Sequence, residues 1–224
     1  MLIKVCGLRE PSNIRDVENL DVDMVGMIFY KDSPRYVGMR PSMAGILPDY
    51  ADEAFAAASR RKRVGVFVDD TAQTVITCVY NFRLDCVQFH GDESPVLIDN
   101  LRRTIDGDIH RGITFIKTLS IRNAGDFGRW RIYSGHADML LFDTRCLSFG
   151  GSGDKFDWSL LEAYDGDIPF LLSGGIGPDD AAAVLSIRHP MFAGIDLNSR
   201  FETSPAVKDI DKLRRFINEI RGLE

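Results

Sequence analysis

Two side chains that commonly transfer protons stand at the ends of short apolar runs in this chain. Cys6 ends the run "LIKVC", and Asp143 ends the run "MLLFD". Thiol and carboxyl groups serve enzymes as general bases and acids. A free cysteine is, however, among the most frequently buried residue types. The stretch around Cys6 therefore leaves two interpretations open, a small core side chain and a reactive thiol at the rim of a site.

A glycine-rich segment, "SGGIGPDDA", follows the apolar run at 168–173 and precedes a predicted helix with Pro178 in its first turn. Glycines let the backbone approach a ligand closely, and amides at a helix start favour an anion. "DLNSRFE" follows the next apolar run. Together the two segments predict a phosphate site at Gly174–Gly175 and Asn198–Ser199. A tight turn without a ligand is the alternative, and the acidic pair Asp179–Asp180 is a mild objection to phosphate.

Two further loops contain candidate functional residues. Arg35 lies in "YKDSPRYV", and its planar guanidinium group suits a carboxylate or a phosphate, although a solvated surface arginine is the commoner case. The loop at 145–157, within "DTRCLSFGGSGDKFDW", is long and glycine-rich. It matches neither a P-loop nor a dinucleotide fingerprint. A mobile lid and a simple flexible loop are both open interpretations.

The elements that position these residues are eight apolar runs spread along the whole chain. Most are continuous rather than alternating, which is typical of strands in a parallel sheet covered on both faces. The predicted strands are 2–6, 24–29, 63–68, 86–89, 114–119, 139–143, 168–173 and 193–197. The segments at 11–20, 94–105, 157–164, 178–185 and 210–221 have helical spacing, and 41–60 has a helical composition.

Eight strand–helix units without a linker or a repeat predict an α/β fold, a single (β/α)₈ barrel domain over residues 1–224. An open doubly wound sheet is the alternative, but "CGLREP" lacks the glycine fingerprint of a dinucleotide site. The barrel also predicts where the chemistry lies, since active sites occupy the carboxyl ends of barrel strands. Cys6, His90, Asp143, Gly174–Gly175 and Asn198–Ser199 follow or end predicted strands.

Composition limits the classes of partner. The formal net charge is −6, which argues against nucleic-acid and anionic-membrane binding, because both require a basic patch. No apolar run approaches the ~20 residues that cross a bilayer. The four cysteines form no CxxC pair and follow no signal peptide, so a reducing cytoplasm is expected. The four histidines lack metal-ligand spacing, and no metal site is predicted.

Several motifs occur together in the order expected for one enzyme family. They are "KVCG", "SPRYV", "RVGVFV", "VQFHGDE", "LLFDT", "GGSGDKFDW", "LSGGI", "GIDLNS" and "ETSPAVKD". With them the chain resembles the phosphoribosylanthranilate isomerases of tryptophan biosynthesis over nearly its whole length. Each motif alone is weak, but the set is specific.

The resemblance implies a cofactor-free barrel that isomerises a phosphorylated sugar–anthranilate substrate by an Amadori rearrangement. By the same resemblance, Cys6 matches the family's base and Asp143 its acid. Arg35 matches the arginine that binds the substrate carboxylate, and Asp196 an aspartate close to the sugar. Gly174, Gly175, Asn198 and Ser199 match the phosphate loops. Monomer and homodimer are equally open.

The chain departs from the family pattern after the eighth strand. Arg200 and Phe201 stand where glycine and valine are usual, and Asn198 replaces a common serine. Arginine does not favour left-handed backbone, so a changed local backbone is expected. We expect Arg200 to bind phosphate through its guanidinium group and to offset Asp179–Asp180. Cys146 has no assignable role.

Three rival functions remain at this stage. A pentulose-phosphate epimerase needs metal-binding side chains at several strand ends, whereas only His90 is so placed, and we interpret it as structural. An indole-glycerol-phosphate synthase would use lysines and glutamates at strand ends, and Lys4 and Lys117 are available, but the expected glutamate cluster is missing. A non-catalytic barrel that binds a phosphorylated ligand would need the glycine loops but not both Cys6 and Asp143.

Overall fold

The eight apolar runs form a closed barrel of eight parallel strands in chain order. The computed structural model of the chain describes residues 1–38, 61–144 and 157–223. The barrel strands are Leu2–Val5 (β1), Met24–Ile28 (β2), Lys62–Phe67 (β3), Cys86–Phe89 (β4), Thr114–Ser120 (β5), Met139–Asp143 (β6), Phe170–Ser173 (β7) and Phe192–Leu197 (β8). The predicted barrel is confirmed, and each predicted strand matches an observed strand within two residues at either end.

Closure comes from the pairing of the first strand with the last. Leu2, Ile3, Lys4 and Val5 of β1 lie opposite Gly194, Ile195, Asp196 and Leu197 of β8, in parallel register. This pairing excludes the open doubly wound sheet, whose outer strands do not meet. It also sets Lys4 beside Asp196 across the seam of the barrel.

Helices follow most strands and cover the outside of the barrel. The described α-helices are Pro11–Glu18 (α1), Ala72–Phe82 (α2), Pro95–Asp108 (α3), Ala181–Ser186 (α4) and Ile210–Arg221 (α5), with 3₁₀ helices at Ala124–Tyr133, Trp158–Ala163 and Ser199–Phe201. A hairpin of two short strands, Glu202–Ser204 (β9) and Val207–Lys208 (β10), precedes α5.

Capping side chains fix several of the helix starts. The hydroxyl of Thr71 accepts the amide of Thr74 before α2, and Asp209 accepts the amide of Lys212 before α5. Ser94 caps α3, where Pro95 occupies the first helical position. Each cap satisfies an amide that the first turn leaves without a helical partner.

Some sequence predictions of helices need correction. The segment 157–164 forms a 3₁₀ helix rather than an α-helix. Helix α4 begins at Ala181, so Pro178 lies in the preceding turn and not in the first helical turn. That turn is closed by Asp180, whose carboxylate accepts the amide of Gly177 at 2.7 Å. Helix α2 and the 3₁₀ helix at 124–133 were not individually predicted. The predictions for 41–60 and nearly all of the proposed lid at 145–157, including Cys146, lie outside the described residues.

Apolar side chains are buried in two places. A small cluster inside the barrel takes its members from strands β2 to β7: Met24, Val64, Cys86, Ile116, Met139, Leu141 and Leu171. A larger cluster lies between the strands and the helices. Phe201 is fully buried in that larger cluster, with its ring 5.0 Å from the ring of Phe216 in α5. The bulky residue after β8 thereby anchors the last helix.

None of the helices in the described ranges combines the length and the apolar character that crossing a bilayer requires.

Candidate active site

A cavity opens where the strands end at the carboxyl face of the barrel. Seven residues singled out in the sequence line it: Cys6, Gly174, Gly175, Asp196, Asn198, Ser199 and Arg200. Gln88, His90 and Ser173 contribute further polar groups. A larger cavity of about 540 Å³ lies between the 3₁₀ helix at 158–163 and α4. Neither predicted catalytic residue lines the larger cavity, whereas Cys6 lines the smaller one, which is therefore the candidate active site.

Cys6 follows β1 and is held from both neighbouring strands. Its amide donates to the carbonyl of Leu197 at 2.8 Å, which ties it to the end of β8. On the other side it packs against Gly26 of β2, where an added Cβ would lie 2.9 Å from the Cys6 sulfur. The thiol is 4% exposed, so it is a buried group that still lines the cavity. Burial and access to a ligand are therefore compatible for Cys6.

A buried ion pair joins Lys4, two residues before Cys6 in the chain, to Asp196 of β8. Lys4 Nζ is 2.8 Å from Asp196 Oδ1, and Ser173 donates its hydroxyl to Asp196 Oδ2 at 3.1 Å. The Lys4 side chain is fully buried. Both oxygens of Asp196 are thus engaged by groups at the ends of β1 and β7. A buried charge of this kind persists only when it is paired and hydrogen-bonded.

Electrostatics at Cys6 combine opposing effects. Burial raises the pKa of the Cys6 thiol above its ordinary value, and the Asp196 carboxylate acts in the same direction. The ammonium groups of Lys4 and Lys208 oppose this rise. Burial also lowers the pKa of Lys4, but Asp196 and Cys6 more than offset it, so the pKa of Lys4 is raised overall. The thiol therefore has two cations close to it and remains predominantly protonated near neutral pH.

Asp143 ends β6, and its carboxylate contacts His90, which lines the cavity. Its carboxylate Oδ2 is 3.5 Å from His90 Nε2, and the Asp143 side chain is 7% exposed. His90 lies directly after β4 and lines the cavity. On the other ring nitrogen, Gln88 Nε2 lies 3.4 Å from His90 Nδ1. Among the described residues, Cys6 and His90 line the cavity and Asp143 does not, so Asp143 is connected to the cavity by its contact with His90.

A second buried ion pair supports the loop that carries His90. Lys117 of β5 donates to the carbonyl of Gly91 at 2.6 Å and to that of Phe89 at 3.4 Å, the two residues flanking His90. Its Nζ also lies 3.2 Å from Glu93 Oε2. The other oxygen of Glu93 accepts the amides of Asp69 and Gly91. Lys117 and Glu93 thereby connect the loops after β3 and β4.

Arg35 meets a carboxylate of the chain itself. Its Nε is 2.8 Å from Glu202 Oε1, and its Nη2 is 2.5 Å from Glu202 Oε2. Lys208 also donates to Glu202 Oε1 at 2.7 Å and to Asn198 Oδ1 at 2.8 Å. These hydrogen bonds join the loop after β2 to the segment after β8. The solvated surface arginine considered from the sequence is therefore excluded, since Arg35 is paired and its side chain is 19% exposed.

The glycine-rich turn after β7 has the backbone that only glycine adopts readily. Gly174 and Gly175 have φ values of 100° and 78°. A Cβ on Gly174 would lie 2.5 Å from the amide nitrogen of Thr144, so the turn packs closely on the end of β6. Asp180 points into its own turn and lines the other cavity. The objection that Asp180 would repel an anion beside Gly175 is thus removed.

Arg200 lies in the 3₁₀ turn Ser199–Phe201 and lines the cavity together with Ser199, Gly174 and Gly175. The positive-φ residues other than glycine in the described ranges are Asp69, Arg83 and Ala206. Arg200 is therefore not in the left-handed region, and the backbone at this position needs no glycine in this chain. Its side chain is exposed at the rim of the cavity.

Comparison with known proteins agrees with this geometry. Residues 3–219 match the family model described as N-(5′-phosphoribosyl)anthranilate (PRA) isomerase. A protein of that name from Parabacteroides distasonis is 46% identical over 223 residues, which cover 98% of this chain and 93% of the relative. The chain belongs to the N-(5′-phosphoribosyl)anthranilate isomerase family. It is therefore an enzyme, an isomerase of tryptophan biosynthesis, as the motifs indicated.

Two solved structures of the isomerase family extend the likeness to the fold. The phosphoribosyl anthranilate isomerase from Thermotoga maritima superimposes with a TM-score of 0.79 at 30% identity, and all of both chains is covered. A second isomerase was solved in complex with reduced 1-(o-carboxyphenylamino)-1-deoxyribulose 5-phosphate. It gives a TM-score of 0.77 at 26% identity, again with complete coverage of both chains.

Sequence reasoning missed several polar residues of the site. Glu202 and Lys208 belong to the family motif "ETSPAVKD" but received no role, and Gln88 belongs to "VQFHGDE". The motifs contained these residues, but charged and amide side chains are mostly exposed, so the sequence alone gave no reason to expect them at buried positions. Their partners could not be predicted, because Glu202 meets Arg35 across 167 residues of chain.

Proposed function

We propose that this isomerase converts N-(5′-phosphoribosyl)anthranilate into 1-(2-carboxyphenylamino)-1-deoxyribulose 5-phosphate, with Asp143 as general acid and Cys6 as general base. One observation carries the assignment. The Cys6 thiol, which lies close to two buried ammonium groups, lines the same cavity as the glycine turn and His90, and His90 contacts the Asp143 carboxylate. Cys6 can therefore contact a ligand in that cavity directly, and Asp143 lies directly behind His90.

The first step is opening of the furanose ring. The substrate carries nitrogen and the ring oxygen on the same carbon, so protonation of that oxygen breaks the C–O bond and leaves a cationic Schiff base. Asp143 supplies the proton. His90, 3.5 Å from the carboxylate, holds Asp143 at the edge of the cavity. A general acid must lie within hydrogen-bond reach of the atom that it protonates, so this role requires the Asp143 carboxyl group to reach the ring oxygen past His90.

The second step removes the proton on C2′ of the ribose. The positive charge of the Schiff base acidifies this proton, and the Cys6 thiolate accepts it to give an enolamine. Tautomerisation of the enolamine then gives the ketone product. Because burial raises the thiol pKa, only a small fraction is thiolate at neutral pH, but that thiolate is a strong base. Lys4 and Lys208 stabilise it.

The remaining predicted residues hold the substrate. Arg35 binds the anthranilate carboxylate, and Asp196 lies beside the sugar. The phosphate lies against the backbone of Gly174, Gly175, Asn198 and Ser199. Asn198 Oδ1 accepts a hydrogen bond from Lys208, which fixes the Asn198 side chain beside the cavity. We further propose that Arg200, at the rim of the same cavity, pairs with the phosphate.

A turnover assay that follows the change in anthranilate fluorescence as the substrate is consumed tests the proposal. The substrate is generated in the cuvette from anthranilate and phosphoribosyl pyrophosphate by an added phosphoribosyltransferase, and its consumption is followed for wild type, Cys6→Ser and Asp143→Asn. We expect a measurable rate for the wild type and losses of about 10²–10⁴-fold in kcat for each variant, the usual contribution of a general acid or base.

The same experiment addresses the non-catalytic alternative. A barrel that only binds a phosphorylated ligand would give equal, near-zero rates in all three proteins while still binding the substrate. Retained activity in Asp143→Asn would instead move the role of acid to another group, and His90, which contacts Asp143 and lines the cavity, would be the first candidate.

A further inference from the structure

The pairing between Arg35 and Glu202 uses only one edge of the guanidinium group. Glu202 occupies the edge formed by Nε and Nη2, with one carboxylate oxygen on each nitrogen. The other edge, formed by Nη1 and the second hydrogen of Nη2, takes no part in this pair. That edge presents two parallel N–H groups, the geometry that binds a second carboxylate in bidentate fashion.

We propose that Glu202 is a positioning residue that orients Arg35 toward the substrate carboxylate and so makes the enzyme selective for an anilino group bearing that carboxylate. The inference rests on the proposed function, because it assumes that Arg35 binds the substrate. Glu202 does not touch the substrate itself. It fixes the plane and the direction of the guanidinium group before the ligand arrives, which reduces the ordering cost of binding.

Glu202 can serve this purpose because its own carboxylate is fixed. Lys208 Nζ donates to Glu202 Oε1 at 2.7 Å, and the amide of Ala206 donates to the same oxygen at 3.2 Å. The Lys208 backbone is held in turn by Asn13, which accepts its amide at 2.7 Å and donates to its carbonyl at 3.0 Å. The Glu202 side chain is 6% exposed. Rotation of the carboxylate would break several buried hydrogen bonds at once.

The aliphatic part of Arg35 is confined as well. It crosses over Gly7, where an added Cβ would lie 2.6 Å from Arg35 Cδ and 2.6 Å from Asn198 Oδ1. Gly7 directly follows Cys6, and its φ is 76°. The guanidinium group is therefore held beside the catalytic thiol, close enough for Cys6 to affect the electrostatics of Arg35.

The charges of this cluster favour the same conclusion. Arg35 and Lys208 contribute two positive charges, and Glu202 contributes one negative charge. One positive charge is left for an incoming carboxylate, so binding completes an ion network rather than adding a second anion to a neutral pair.

The test compares two stable ligands that differ only in the carboxylate. One is reduced 1-(2-carboxyphenylamino)-1-deoxyribulose 5-phosphate, and the other is reduced 1-phenylamino-1-deoxyribulose 5-phosphate. Dissociation constants are measured by calorimetry for the wild type, Glu202→Gln and the matched control Glu10→Gln. Glu10 is suitable because it also pairs with an arginine, Arg9, but at the exposed surface.

We expect the wild type and Glu10→Gln to prefer the carboxylated ligand by at least about tenfold, the effect of one charge-assisted hydrogen-bond pair. Glu202→Gln should lose most of this preference while its affinity for the ligand without carboxylate stays within about twofold. In an Arg35→Ala background, Glu202→Gln should change the preference no further, because its effect passes through Arg35.

Three results would contradict either the positioning role of Glu202 or the proposed function. An unchanged preference in Glu202→Gln, or an equal loss of affinity for both ligands, contradicts the positioning role. Failure of the wild type to bind either ligand contradicts the proposed function instead. If Glu202→Gln does not fold, Glu202→Asp replaces it. The aspartate keeps the charge next to Lys208 but is one carbon too short to reach both nitrogens of Arg35, and the same loss of preference is expected.

Discussion

Lys4 and Lys117 are chemically the same and equally buried, yet they act on opposite sides of the barrel mouth. Each has a fully buried side chain and a carboxylate partner, Asp196 for Lys4 and Glu93 for Lys117. Lys4 lies beside the Cys6 thiol, and Asp196 and Cys6 raise the pKa of Lys4 against the effect of burial. The pKa of Lys117 is lowered, because burial outweighs the attraction of Glu93.

The difference lies in what surrounds each ammonium group. Lys117 shares its hydrogen bonds between Glu93 and two backbone carbonyls, so it joins loops and fixes the peptide that carries His90. Lys4 interacts with Asp196 and with Cys6, both of which line the cavity. One buried ion pair, Lys117–Glu93, therefore holds loops together, whereas the other, Lys4–Asp196, affects the electrostatics of Cys6. The groups around each ammonium group determine this difference.

The largest expected effect concerns the thiol on the Lys4 side. Cys6→Ala should reduce kcat by about 10²–10⁴-fold, since it removes the proposed base, while the melting temperature changes little. The fluorescence assay of turnover measures kcat, and unfolding followed by calorimetry measures the melting temperature. Retained activity with a large fall in melting temperature would return Cys6 to the role of a core side chain.

Cys86→Ala is the matched control for that substitution. Cys86 is also buried, inside the barrel on β4, and burial raises its pKa to about 11. It belongs to the apolar interior cluster and does not line the cavity. A comparable small change in stability with unchanged turnover is expected.

The next largest effect is expected when the Lys117–Glu93 ion pair is removed. Lys117→Met leaves Glu93 buried without its cation, which typically costs about 3–5 kcal/mol of unfolding free energy. Chemical denaturation measures this cost. At temperatures where the variant is folded, kcat should also fall because the loop carrying His90 loses its anchor. A variant with the stability of the wild type would show that the backbone bonds to Gly91 and Phe89 are dispensable.

Lys4→Met sharpens the contrast through the pH dependence of turnover. The thiolate fraction of Cys6 increases with pH. The part of the pH–rate profile that is governed by deprotonation of Cys6, called here the thiol limb, should therefore rise with pH. Lys4 lowers the thiol pKa against the effect of burial, and its removal raises that pKa further. The thiol limb should therefore move to higher pH in Lys4→Met and stay in place in Lys117→Met. Equal movement in both variants would contradict an electrostatic role specific to Lys4.

The smallest expected effect concerns the rim of the cavity. Arg200→Ala should raise KM about tenfold or more with kcat nearly unchanged, the loss expected when one charge-assisted contact to phosphate is removed. The exposed Lys31, replaced by alanine, is the control for a general loss of positive charge at the same face of the barrel. An unchanged KM in Arg200→Ala would end the proposed role.

Strand positions were readable because parallel barrel strands are buried on both faces and leave continuous apolar runs. The run at 139–143 matched β6 residue for residue. Helix α4 was less predictable, because the side chain of Asp180 closed a turn that the spacing of apolar residues had assigned to the helix. Hydrophobic periodicity does not report such local hydrogen bonds.

The sequence by itself determined the barrel, the family and the identity of the candidate acid and base, since apolar runs and motif order are properties of the linear chain. The tertiary structure decided which groups meet. It placed Lys4 against Asp196 through the β1–β8 register, His90 against Asp143 across two strands, and Glu202 against Arg35 across the barrel seam. The physical reason is that these contacts join residues far apart in the chain, and their energies depend on distance and burial, which barrel closure sets.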